Sequence, residues 1–327
     1  MTWELRWHPF RAEWVLFTSH RGSRPWHGTV VDDTEPTVPA DNALAPLGRW
    51  ISGTNPDYRG VYVFTNDPPV FSADAPEPAS DDELYRTGRA TGTAGGGVLP
   101  PRPRRTVADL DDDEVTAVVQ GWRDRTTSLQ QIDGVAHVLV FENRGAAMGT
   151  SNPHLHCQIY AGSLVYAIAA REAEVAAEYC DWTGRSLLAD VTAREVDGPR
   201  VVAAGDEFFA CVPWFARYAY EVAILPRVPV ASLTEMDDRA CRSLGLVLRD
   251  VVRRYDALWG IRMPYVLAVH QAPVGCHPHY PFHLELHPPL RAPGLLKYLA
   301  GPEIGGGSMT NESDPDDKAK ELQDAHP

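Results

Sequence analysis

The order of predicted secondary-structure elements occurs twice along this chain of 327 residues. Each copy consists of a long helix with an acidic first turn, then a strand, then a strand that carries histidine. The two copies lie at 111–131, 136–143 and 155–161, and at 234–260, 265–271 and 282–288. Such a repeat predicts an α+β fold of duplicated units, in which long helices pack on two antiparallel-rich sheets, one in each half.

This layout divides the chain into an N-terminal half at 1–162, a C-terminal half at 163–304 and a polar tail at 305–327. Thr234 is a candidate N-cap for the helix that ends before Gly260. One further helix and four further strands are predicted at 164–179 and at 13–19, 60–66, 207–213 and 220–226. The stretches 32–57 and 91–106, like the tail, are rich in Gly, Pro or polar residues and predict loops.

The formal net charge of −14 disfavours nucleic acid and anionic membranes as partners, because both need a positive field. A local arginine cluster can still bind a small phosphorylated ligand. No apolar run approaches the length of a membrane span, and the first residues do not resemble a secretory signal. The five cysteines are scattered, which argues against a disulfide framework and favours a cytoplasmic location.

The stretch "GTSNPHLHCQIY" at 149–160 alternates between polar and apolar residues. Read as a strand, it places His154, His156 and Gln158 on one face and Leu155, Cys157 and Ile159 on the other. An imidazole can attack phosphorus if one ring nitrogen is free and the other is held, commonly by a backbone carbonyl. A pair of metal ligands or of hydrogen-bonded core histidines is the alternative interpretation of this pattern.

The longer run "FENRGAAMGTSNPHLHCQIYA" resembles the active-site segment of galactose-1-phosphate uridylyltransferases, a branch of the histidine-triad superfamily. The stretches "SHRGSRPWHG", "NPDYRGVYVFTND", "VHQAP" and "HPPLRAPGLLKYLAGPE" agree with the same family. The resemblance implies a ping-pong transfer of UMP from UDP-glucose to galactose 1-phosphate through a covalent uridylyl-histidine. It also implies a homodimer with active sites near the subunit interface.

The resemblance assigns roles residue by residue. His156 matches the nucleophile, and the catalytic set that it implies is His156, His154, Gln158 and Ser151. The residues that match substrate-binding positions are Asn143 at the phosphoryl group, Asn66 and Asp67 at the uridine, Arg21 and Arg24 at the phosphates, and Lys297 and Glu303 at the sugar.

Family members commonly hold a structural zinc, and this chain departs from that pattern. Leu44, Leu47 and Pro103 stand where three ligands are expected, and His154 alone remains. Apolar side chains do not bind zinc. We therefore expect no zinc there, and we expect apolar packing to order the loop instead.

The family also places a second metal, iron or zinc, on one glutamate and three histidines. Glu172, His270 and His283 match three of these positions, and Glu285 replaces the last histidine. Two histidines and two carboxylates still suit a borderline divalent metal. A hydrogen-bonded polar strand without metal is the alternative, and His277, His279 and His287 are interpreted as loop or solvated histidines.

The missing zinc ligands and the unusual "GGGSMTN" tail leave two other functions open. One is a nucleotide-sugar phosphorylase, or a nucleotidylyltransferase for another sugar phosphate, with ADP-glucose as a candidate donor. The other is a nucleotide-binding protein that has lost its activity.

Overall fold

The computed structural model describes residues 2–21, 42–49, 53–66, 69–78, 82–98, 106–150, 152, 154–276 and 279–326. Its strands are β1 (Trp3–His8), β2 (Glu13–Thr18), β3 (Tyr62–Thr65), β4 (Gly92–Val98), β5 (His137–Arg144), β6 (His156–Gly162), β7 (Val201–Ala204), β8 (Phe208–Cys211), β9 (Val222–Pro226), β10 (Tyr265–His270), β11 (His283–His287), β12 (Leu290–Ala292), β13 (Leu295–Leu296) and β14 (Thr310–Asn311).

Five α-helices occur in the described residues: α1 (Asp112–Gln130), α2 (Ala167–Thr183), α3 (Leu187–Glu195), α4 (Asp238–Trp259) and α5 (Pro315–Asp324). The three predicted helices correspond to α1, α2 and α4. Asp111 caps α1, and α4 ends at Gly260 with a φ of 66°. Its N-cap is Asp237 rather than Thr234, which belongs to a preceding 3-10 turn capped by Ser232. Asp111 and Asp237 each use a side-chain carboxylate oxygen to accept a backbone N–H of the first helical turn.

Strands from both halves form one antiparallel sheet, which in the described chain has nine strands in the order β3-β4-β6-β5-β10-β11-β9-β8-β7. The pairing of β5 with β10 joins the N-terminal strands to the C-terminal strands. The α+β class and the antiparallel strands are as predicted, but the two halves share a sheet instead of having one each. A smaller sheet combines β1, β2 and β14, and β12 pairs with β13.

The two faces of the large sheet have different environments. Val140, Ile159, Leu267 and Leu284 point to one face, where they pack in the main core with side chains of α1 and α4. Directly paired residues share a face, so the register places another set on the opposite face: Asn143, His156, Gln158, His270, His283 and Glu285. In the C-terminal half this face is covered by α2, α3 and Phe10.

The glycine-rich stretch predicted as a loop contains β4, which pairs with both β3 and β6. Glycine is required there because a Cβ at Gly95 would lie 2.2 Å from the carbonyl oxygen of Phe64. A Cβ at Gly96 would lie 2.7 Å from the carbonyl oxygen of Cys157. Because these glycines have no side chains, β3 and β6 can approach β4 closely. The loop prediction is therefore wrong over 92–98.

The expectation of a loose polar tail is also wrong. Pro315 follows the N-cap Asp314 and opens α5, whose Ala319 and Leu322 are buried in the main core. Asn311 in β14 donates from Nδ2 to the carbonyl of Ala216, 2.9 Å away. Within the described residues, no helix has both the length and the apolar character that a membrane span needs.

Candidate active site

His156 is the first residue of β6, between β4 and β5. The predicted alternation is confirmed, because Cys157 and Ile159 are buried in the core below the sheet while His156 and Gln158 lie on the other face. His156 therefore lies on a strand that is hydrogen-bonded on both sides and packed beneath, which restricts its position.

The His156 ring is held by one nitrogen. Its Nδ1 lies 2.7 Å from the carbonyl oxygen of His154. A carbonyl can only accept, so Nδ1 carries the proton and Nε2 keeps its lone pair. Burial lowers the pKa of His156 below its ordinary value, partly opposed by this hydrogen bond. The ring is thus neutral at pH 7, as a nitrogen nucleophile must be.

Gln158 has a defined amide orientation. The hydroxyl of Tyr160 donates to its Oε1 at 2.9 Å. Because the oxygen is engaged, the Nε2 group is the end that remains to donate to an anionic ligand on the same face as His156.

Other predicted substrate residues approach this face from neighbouring strands. Asn143 lies near the end of β5, and its carbonyl accepts a hydrogen bond from the Thr150 hydroxyl at 2.6 Å. Asn66 follows β3, and its N–H donates to Ala94 of β4 at 2.9 Å. Three predicted site residues lie outside the described residues: Arg24, Asp67 and Ser151.

The remaining substrate residues are grouped elsewhere. Arg21, Lys297 and Glu303 line one cavity of about 1280 Å³, and His156, Gln158 and Asn143 are not among its described lining residues. Lys297 Nζ lies 3.0 Å from Glu303 Oε1. The cavity is built largely by β12, β13 and the segment that follows them, all of which come after β11 in the chain. In the large sheet, β11 is separated from β6 by three strand spacings, roughly 14 Å.

The predicted metal ligands are buried together. Ligand atoms of Glu172, His270 and His283 all lie within 4.8 Å of one another. His283 Nε2 is 3.3 Å from Glu285 Oε1, and His270 Nε2 is 3.2 Å from Glu285 Oε2. In the described chain, three of these buried atoms have no hydrogen-bond partner: Glu172 Oε1, His270 Nε2 and His283 Nε2. Converging unsatisfied donor atoms of this kind fit a divalent ion.

Charge around this cluster comes from residues that sequence reasoning missed. Arg11 and Arg217 both donate from Nη2 to Glu285 Oε2, and Tyr280 donates its hydroxyl to Glu172 Oε2 at 2.6 Å. Burial alone would raise the pKa of Glu285, but the two guanidinium groups hold it well below its ordinary value. Arg11 lies in the turn between β1 and β2, and no local sequence pattern connects it with Glu285.

The same carboxylate belongs to a second group. Ligand atoms of His8, Glu221 and Glu285 also lie within 4.8 Å of one another. Arg217 donates its backbone N–H to Glu221 Oε2 at 2.9 Å, and its guanidinium lies between the two carboxylates. A cation is therefore already supplied there by the protein itself.

The positions that match the family's zinc ligands differ in composition from the buried His and Glu cluster. Leu44 is buried against Tyr58 and Phe64, and Leu47 is 62% exposed. His154 Nε2 is buried without a hydrogen-bond partner in the described chain, and no described group of three ligating side chains includes His154. These residues do not fit a zinc ion. Pro103 lies outside the described residues.

Comparison with known proteins identifies the family. Models of the N-terminal and C-terminal domains of galactose-1-phosphate uridyl transferase match residues 2–165 and 172–326. The galactose-1-phosphate uridylyltransferase of Haemophilus influenzae is 33% identical over 312 residues, covering 92% of this chain and 88% of that protein. The Rattus norvegicus enzyme is 32% identical over 314 residues, covering 92% and 82%.

Solved structures have the same fold. A uridylyltransferase structure matches with a TM-score of 0.81 and 26% identity, covering 98% of each chain. An ADP-glucose phosphorylase from Arabidopsis thaliana also matches with a TM-score of 0.81, at 22% identity, covering 100% of this chain and 99% of that one.

These matches define a transferase of the uridylyl type. The chain belongs to the galactose-1-phosphate uridylyltransferase family. The family, the enzyme class and the uridylyltransferase function predicted from the sequence are thereby confirmed.

Proposed function

We propose that His156 Nε2 takes the uridylyl group from UDP-glucose and passes it to a hexose 1-phosphate, in the leading case galactose 1-phosphate. The observation that carries this proposal is the neutral His156 ring, anchored through Nδ1 on a buried strand. In the first step Nε2 attacks the α-phosphorus, and the bond to the leaving glucose 1-phosphate breaks. In the second step a phosphate oxygen of the acceptor attacks, and the N–P bond breaks.

The neighbouring amides support the transferred group in this proposal. Gln158 Nε2, oriented by Tyr160, donates to a phosphoryl oxygen as negative charge develops. Asn143 and Ser151 complete the phosphoryl site, and Asn66 and Asp67 bind the uridine. His154 contributes through its carbonyl, which fixes the nucleophile's tautomer.

We propose that the sugar end of the site comes from a second subunit of a homodimer. Support comes from the cavity that groups Arg21, Lys297 and Glu303 apart from His156. Arg24 is assigned with Arg21 to the phosphates. Support also comes from the small sheet, where the described chain exposes a row of large apolar side chains: Trp3, Leu5, Trp7 and Trp14.

Subunit complementation tests the dimer. His156→Gly and Lys297→Ala are each inactive in this proposal, but a mixed dimer contains one intact site. Equal mixing after reversible dissociation therefore restores about a quarter of the wild-type activity, since half of the dimers are mixed and each has one of two sites. If the site lay within one subunit, the mixture would stay inactive.

We propose that the buried cluster of Glu172, His270, His283 and Glu285 holds a divalent ion, iron or zinc. The ion would link α2 to β10 and β11. Metal analysis of the purified protein tests this: about one ion per chain is expected, and Glu172→Gln with His283→Gln should lose it.

The cytoplasmic location stays a prediction.

The chemical test uses intact-mass spectrometry. UDP-glucose should release glucose 1-phosphate and add one uridylyl group to the protein, and His156→Gly should take up none. His326→Gly, at an exposed position, is the matched control and should label normally. Label on His156→Gly would show that the nucleophile is wrong.

A panel of donors and acceptors separates the alternatives. Preference for ADP-glucose, or transfer of the nucleotide to orthophosphate, would favour the phosphorylase. Tight UDP-glucose binding without labelling would favour an inactive binding protein.

A further inference from the structure

Two asparagine side chains connect the segment at 42–49 with Asn152, which precedes the strand of His156. Asn42 Nδ2 donates to Asn152 Oδ1 at 2.7 Å, and Asn152 Nδ2 donates to Asn42 Oδ1 at 2.9 Å. Asn42 is 5% exposed. A reciprocal amide pair defines both the distance and the relative orientation of the two segments, because each oxygen accepts and each nitrogen donates.

The pair continues to the His156 ring. Asn152 Oδ1 also accepts the N–H of His154 at 3.0 Å, and the carbonyl of His154 accepts Nδ1–H of His156 at 2.7 Å. Hydrogen bonds at the backbone N–H and at the carbonyl of His154 thus relate the position of His156 to that of Asn42. Asn42 is not among the residues proposed to contact the reacting atoms.

The other end of this connection is itself held. Asn42 Oδ1 accepts the N–H of Leu44 at 2.8 Å, and the Tyr58 hydroxyl donates to the Leu44 carbonyl. The Leu44 side chain packs with Tyr58 and Phe64. Burial raises the pKa of Tyr58 to about 12, so its hydroxyl stays a donor throughout the physiological range. Asn42 is therefore fixed on both sides.

We propose that Asn42 is a positioning residue, and that its pairing with Asn152 does here what metal ligation at His154 does elsewhere in the family. This inference rests on the proposed function of His156. The misfit at His154 supports it, since the described residues supply no ligand set, whereas the amide pair joins the same two segments.

The test compares Asn42→Ala, Asn152→Ala and the double variant in single-turnover uridylylation. Each single variant should slow labelling of His156 by about 10- to 100-fold, because loss of alignment raises the barrier, while Kd for UDP-glucose changes less than about threefold. The double variant should be no slower than the worse single variant, because one connection is lost in all three.

Asn55→Ala is the matched control. Asn55 is 6% exposed and donates from Nδ2 to the carbonyls of Ala43 and Ala45, so its loss also loosens this segment. Its effect on labelling should multiply with that of Asn152→Ala. If Asn42→Ala and Asn152→Ala multiplied in the same way, or if Asn42→Ala labelled at the wild-type rate, the inference would be overturned while the nucleophile stood. If none of the donors labelled the wild-type protein, both this inference and the proposed function would be overturned.

Discussion

His156 and His283 occupy corresponding positions in the two halves and have different surroundings. Each opens a strand, and each Nδ1–H donates to the carbonyl two residues earlier, at 2.7 Å for His156 and 2.6 Å for His283. His156 Nε2 shares its face with the uncharged amide of Gln158. His283 Nε2 faces the carboxylates of Glu285 and Glu172 at 3.3 and 3.9 Å.

The comparison shows that one backbone anchor serves two chemistries. When Nδ1 carries the only ring proton, Nε2 presents a lone pair in either half. Among uncharged neighbours that lone pair is suited to attack phosphorus, and among buried carboxylates it is suited to bind a cation. The region around His156 is thus held by neutral contacts and the C-terminal cluster by charged ones, and the following predictions test this difference.

The largest effect is expected at the charged cluster. Arg11→Ala leaves the buried Glu285 carboxylate with one guanidinium fewer and should lower the free energy of unfolding by about 3–5 kcal/mol. Urea denaturation measures it. Arg239→Ala, whose 70% exposed side chain pairs with Glu207, should change it by less than about 0.5 kcal/mol. Equal effects would show that burial of the pair is irrelevant.

A smaller effect is expected from the apolar contacts of the segment at 42–49. Leu44→Ala removes a buried side chain from the cluster with Tyr58 and Phe64 and should cost about 2–3 kcal/mol of unfolding free energy. The exposed neighbour Leu47 provides the control, since Leu47→Ala removes little buried surface. Added salt should leave the Leu44→Ala effect unchanged, because no charge is involved. A strong salt dependence would contradict neutral packing.

A smaller effect again is expected from the hydrogen bond that orients the Gln158 amide. Tyr160→Phe removes the donor to Oε1, so the amide can rotate. Labelling of His156 should then slow about fivefold, equivalent to ~1 kcal/mol. Quenching the reaction with UDP-glucose at successive times measures the rate. Tyr85→Phe, at a 76% exposed position, should have no effect. An unchanged rate in Tyr160→Phe would mean that the amide is oriented by the ligand alone.

The smallest effect concerns pH. The proposed mechanism requires the uncharged ring, and burial lowers the pKa of His156 below 6.5. More than half of the rings therefore stay neutral at pH 6.5, so the labelling rate should fall by less than about twofold between pH 8 and pH 6.5 and decline further only at lower pH. Single-turnover rates across this range give the profile. An inflection above pH 6.5 would show that the ring is not in a desolvated, neutral setting.

Local patterns predicted much of this arrangement. The alternation at 154–159 identified which residues face the core, and the acidic starts with helical spacing located α1 and α4. On β11, the strand periodicity of two puts His283 and Glu285 on one face. These features are short-range consequences of backbone geometry, so they are present in the sequence itself.

Long-range partners depended on the tertiary structure. Gly95 and Gly96 form a strand only because Phe64 and the Cys157 backbone approach closely. The contact of Arg11 with Glu285 spans 274 positions, and that of Asn42 with Asn152 spans 110. Nothing within a few residues of either partner signals such a pairing. Sequence therefore determined the elements and the chemistry on each strand, whereas the packing of distant segments decided which charges and amides hold that chemistry in place.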